Sequence, residues 1–99
     1  MRRVIQDLSK LGTFPESINS NVEQVERYEK LIGQIVPPVT DEESRELIKL
    51  FGQDDYFGLA WTLVHLIESS PSWPLLDLLE NDNNQWVSLL KTRADNSTN

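Results

Sequence analysis

The 99-residue chain has no cysteine. Disulfides, thiolate metal sites and cysteine nucleophiles are therefore excluded. Histidine is nearly absent as well, with His65 alone. Cations are in short supply: 9 Lys+Arg stand against 16 Asp+Glu, a net charge of −7. Such a balance argues against general affinity for DNA, RNA or anionic lipid, which need net cation density. No apolar run approaches the ~18 residues of a membrane span. The basic start Met1-Arg2-Arg3 is followed within two apolar residues by Gln6 and Asp7. That leaves no room for the ~7–15-residue apolar stretch of a signal peptide, and a cytoplasmic protein is expected.

Strand-like alternation is also missing. Prolines 15, 37, 38, 71 and 74 divide the chain into segments with helical spacing. The first spans 3–11, with Val4, Ile5, Leu8 and Leu11 on one face and Gly12 as its stop. The second is expected over about 17–36, where Ile18, Val22, Val25, Tyr28, Ile32, Ile35 and Val36 share an arc until Pro37-Pro38 ends it. Thr40 and Glu43 form a capping box for a third helix carrying Leu47, Ile48, Leu50 and Phe51, with Gly52 expected as a left-handed C-terminal cap. Asp54 or Asp55 then caps a fourth helix from Tyr56 to about Ser69. Pro74 suits the first turn of a fifth, and a sixth covers about 85–94.

The expected fold is all-α: one domain over 1–94, a compact bundle of five or six short helices or stacked helical hairpins of HEAT type, with a disordered tail at 95–99. Leu47, Leu50, Phe51, Leu59, Leu63, Leu66, Leu76, Leu79, Trp86 and Leu90 are assigned to one core. The acidic charge is uneven. Residues 1–52 carry 7 basic and 9 acidic side chains (net −2), and residues 53–99 carry 2 and 7 (net −5).

The chemical motifs are few. Ser69, Ser70 and Ser72 lie near His65 in sequence, but nothing resembles a nucleophile elbow. Asp54-Asp55, and Asp77 with Glu80 and Asp82, lack EF-hand spacing and read as caps and solvated acids. Gly52 to Gly58 has no phosphate-loop pattern. No metal, cofactor or catalytic residue is assigned, and no enzyme is expected.

The informative segment is the fourth helix, uncharged from Tyr56 to Ile67. Tyr56, Leu59, Ala60, Leu63, Val64, Leu66 and Ile67 fall on one side. Phe57, Trp61, His65 and Glu68 stack on the other at spacings of four, four and three. Gly58, costly inside a helix, suggests a close neighbour there. One reading packs this second face under the N-terminal helices, with His65 bonded to Glu68 or a carbonyl. The other makes it a partly open aromatic and polar groove, a composition common in binding hot spots.

The stretch from Phe57 to Glu68, followed by Pro71, Trp73 and Pro74, is similar to a segment of small uncharacterised bacterial helical proteins. Some of those resemble immunity-type proteins of contact-competition systems. The resemblance covers residues 51–76 and implies a bacterial origin, without any chemistry. Together these features point to an acidic, non-enzymatic interaction protein that binds a basic protein partner through Phe57, Trp61, His65 and Glu68. The alternatives are a small-ligand binder or enzyme using His65 with Glu68, and an obligate homo-oligomer without further activity.

Overall fold

The computed structural model describes residues 1–80 and 84–97. Six α-helices follow one another: α1 (Arg3–Leu11), α2 (Val22–Gly33), α3 (Asp41–Leu47), α4 (Leu59–Glu68), α5 (Leu76–Leu79) and α6 (Gln85–Ser97). Short 3-10 turns occupy Ser17–Asn19 and Ile48–Leu50, and no strand occurs among the described residues. The all-α class is as expected. None of these helices is long and apolar enough to cross a membrane.

The central helix is α4, with α2, α3 and α6 packed around it. Ala60, Leu63, Val64, Leu66 and Ile67 are buried along it. Most of the assigned core is buried: Leu47, Leu50, Phe51, Leu63, Leu66, Leu79, Trp86 and Leu90. Leu59 is only half-buried, and the side chain of Leu76 lies outside the description. Ile5 and Leu8 of α1 reach the same core, as do Tyr28 and Ile32 of α2.

Several boundaries differ from expectation, each for a local reason. The second helix begins at Val22, because Asn21 and Gln24 form a reciprocal capping box there. Ile18, Val22 and Val36, expected on its buried arc, are instead exposed. The fourth helix begins at Leu59. Tyr56 and Phe57 have left-handed backbones, with φ of 46° and 57°, and a turn precedes the helix. Pro74 stands before Leu75, the N-cap of α5, and not in its first turn. The sixth helix runs through 95–97 to Ser97, past the expected end; residues 98 and 99 lie outside the described residues.

Gly52 is not a left-handed cap either, since positive φ among the glycines is confined to Gly12 and Gly58. It is needed for a close approach. A Cβ placed on Gly52 would meet the Phe14 carbonyl oxygen at 2.3 Å. Neighbouring Phe14 N–H donates to the Leu50 carbonyl at 2.8 Å, which fixes that backbone in place. Because the obstruction is backbone, Gly52→Ala should cost about 2–3 kcal/mol, the upper range for overpacking. Urea unfolding checks this; parent-like stability would mean that residues 12–16 shift freely.

Between these segments sits an aromatic cluster. Phe14 stacks on Tyr56 at 4.7 Å, and Tyr28 meets both rings edge-on at 4.9 and 5.5 Å. The Tyr28 hydroxyl donates to the Gly12 carbonyl at 2.9 Å and holds the turn after α1. The Tyr56 hydroxyl is buried with no hydrogen-bond partner among the described residues. Removing an unpaired buried hydroxyl relieves a desolvation cost. Tyr56→Phe should therefore be neutral or stabilising by up to ~1 kcal/mol, and Tyr28→Phe destabilising by about that amount. Thermal unfolding of the two variants separates them, and the reverse order would contradict this packing.

Candidate functional site

The loop before α4 builds the site. Asp54 organises it: its carboxylate accepts from Ser17 N–H at 3.0 Å, Ser17 Oγ at 2.9 Å and Tyr56 N–H at 2.9 Å. The backbone N–H groups of Ser17 and then Tyr56 hold the Asp54 pKa below its ordinary value. Asp54 thus acts in the turn ahead of the helix, not as its direct N-cap; that position belongs to Gly58 at φ 87°. A Cβ on Gly58 would have nothing within 4 Å. The glycine serves the left-handed backbone, and the close neighbour expected there is absent among the described residues.

This turn sends Tyr56 fully into the core and Phe57 outward, 60% exposed. One helical turn on, Trp61 is 43% exposed. Its ring meets Trp86 of α6 edge-on at 5.2 Å. Trp86 is itself fixed on both sides. It stacks parallel to Phe51 at 6.0 Å, and its indole N–H donates to the Asp54 carbonyl at 3.1 Å. Trp61, Gln85, Trp86 and Leu89 line a shallow recess of about 220 Å³ beside this ridge.

His65 follows on the same face, with 68% of its side chain exposed. Its Nδ1 lies 3.9 Å from Glu68, too far for a hydrogen bond. Glu68 is engaged elsewhere. Arg93 of α6 grips both carboxylate oxygens, at 2.6 and 2.8 Å. The second face of α4 therefore does not pack under the N-terminal helices. It lies open beside α6, with Phe57, Trp61 and His65 at the surface and Glu68 tied down at its end. The His65 ring stands largely in solvent, and the acid beside it, Glu68, is committed to Arg93. Among the described residues no group of three or more His, Asp or Glu side chains could hold a metal ion.

The sequence reading missed Trp86 as a wall of this site and Arg93 as the partner of Glu68. Only the packing of α6 beside α4 brings them there. No protein-family model, curated protein or solved structure matches the chain.

Proposed function

We propose that this chain is a non-enzymatic protein-interaction module of immunity type, acting in a bacterial cytoplasm, whose Phe57–Trp61 face binds a basic protein partner. The observation that carries this reading is the conformation of Phe57. A bulky residue in the left-handed region costs about 1–2 kcal/mol, and here that backbone places an aromatic ring in solvent. Strain that exposes an apolar group is characteristic of a surface kept for contact. Trp61 adds a second anchor, and Trp86 supplies the rigid wall that hot-spot aromatics pack against. The net −5 of residues 53–99 supports a partner of opposite charge, steered by a field that salt screens. Two exposed aromatics beside a shallow recess suit a modest heterologous interface better than the extensive apolar surface of an obligate homodimer.

Affinity capture from lysate of the source cell tests the proposal, using the parent, Trp61→Ala and His65→Ala. The parent should recover a stoichiometric basic protein. Trp61→Ala should weaken capture by ~2 kcal/mol or more, as expected of a hot-spot aromatic. His65→Ala should keep parent stability, its ring being largely in solvent. Recovery of no stoichiometric partner, or equal recovery by the parent and Trp61→Ala, would refute this reading.

A further inference from the structure

A second unusual charge distribution lies between α1 and α2. A groove of about 690 Å³ opens there, within the size range of small-molecule sites. Three of the chain's scarce cations line it: Lys10 from α1, with Arg27 and Lys30 from α2. Leu11 and Leu31 form its apolar floor, and Gln34 and Asp7 complete the rim.

These cations have carboxylates within local reach and do not use them. Glu23 precedes Arg27 by four residues and Glu26 precedes Lys30 by four. That is the favourable order for helical ion pairs. Asp7 precedes Lys10 by three. Yet the side chains of Lys10, Arg27 and Lys30 make no ion pair or hydrogen bond with any described residue. Of the other cations, Arg2, Arg45, Lys49 and Arg93 are matched to carboxylates, and Arg3 has no partner among the described residues. In a chain with net charge −7, three unmatched cations converging on one groove form a local excess that the rest of the protein leaves unneutralised.

We infer that the α1–α2 groove is a binding site for a small dianion, of phosphomonoester or dicarboxylate type, whose body rests on Leu11 and Leu31. Three cations against the single Asp7 leave a local surplus that a dianion neutralises. Arg27 supplies the planar fork suited to phosphate or carboxylate oxygens, and the two lysines act as point charges. The site is remote in sequence from the Phe57–Trp61 face, and the inference does not depend on the function proposed for that face.

The test is a backbone-amide NMR titration of the full chain at constant ionic strength. Inorganic phosphate, glycerol phosphate and succinate are the probes, with chloride as control. Saturable shifts are expected in the millimolar range or below, confined to residues 7–11 and 27–34. Tighter binding of the phosphate probes identifies a phosphoryl ligand, and tighter binding of succinate identifies a dicarboxylate. Arg27→Gln/Lys30→Gln should weaken binding by about tenfold or more, as loss of charge-assisted bonds requires. Its melting temperature should stay near the parent's. Lys10→Gln, on the opposite wall, provides a second variant with the same expected direction. Shifts that fail to saturate, that chloride reproduces, or that both variants leave unchanged would overturn the site.

Discussion

Arg2→Met should destabilise the protein by roughly 3–5 kcal/mol, the cost of leaving one partner of a buried ion pair alone. Glu43 is 1% exposed. Its carboxylate accepts from Arg2 Nε and Nη2, both at 3.0 Å, and from the Thr40 N–H at 2.9 Å. The same guanidinium donates to the carbonyls of Val36 at 2.7 Å and Pro38 at 3.0 Å. One side chain thus ties the start of α1 to the α2–α3 connection and to the first turn of α3. For a domain with 5–15 kcal/mol in total, loss of that tie should lower the melting temperature by about 15 °C or more.

The pair also sets the acid limit. The hydrogen bonds from Arg2 lead the effects that hold the Glu43 pKa at about 2, against an ordinary 4.5. A lowered folded-state pKa contributes stability that is fully present above about pH 4.5. It is lost as pH falls toward 2, and amounts to about 3 kcal/mol. Asp54 and Asp77 are shifted in the same direction and add to the same slope. In Arg2→Met most of the Glu43 share of that slope should vanish. Adding Glu43→Gln should recover part of the lost stability, since glutamine keeps the capping reach to Thr40. Denaturant unfolding from pH 2.5 to 7 measures both effects. An Arg2→Met protein with parental stability and slope would show the pair to be unimportant.

Leu63→Ala is expected to cost about 2–5 kcal/mol through lost burial and the cavity it leaves. Leu63 is fully buried at the middle of α4, the helix against which α2, α3 and α6 pack. Its exposed neighbour Thr62 is the internal control: Thr62→Ala should stay within about 0.5 kcal/mol of the parent. Equal midpoints for the two variants would contradict the orientation of α4.

That orientation was legible from the sequence, because an uncharged helix shows two faces once Leu59, Leu63, Leu66 and Ile67 are placed at helical spacing. The Thr40–Glu43 box was legible too, being local chemistry within four residues. The start of α2 was misplaced because Ile18 and Val22 happened to extend an apolar arc, and the competing Asn21–Gln24 box carries no hydrophobic signal. The Arg2–Glu43 pair joins residues 41 apart in sequence, and no periodicity points across that distance. The turn at Tyr56-Phe57 escaped for a different reason. Aromatic residues rarely adopt left-handed backbones, and the pattern on either side was helical. Trp61 and His65 share an exposed face at helical spacing, Phe57 joins them only through the turn ahead of the helix, and the surroundings of Trp61 depend on where α6 docks.

Stability and capture measured together on Phe57→Asn decide whether this ring serves a partner or the fold. Asparagine tolerates the left-handed backbone that strains phenylalanine, and the ring it replaces is 60% exposed. The variant should be as stable as the parent, or more stable by up to ~1 kcal/mol, and should no longer capture the basic partner. A variant that loses more than ~1 kcal/mol of stability, or that captures as well as the parent, would show that Phe57 serves the fold and not a partner.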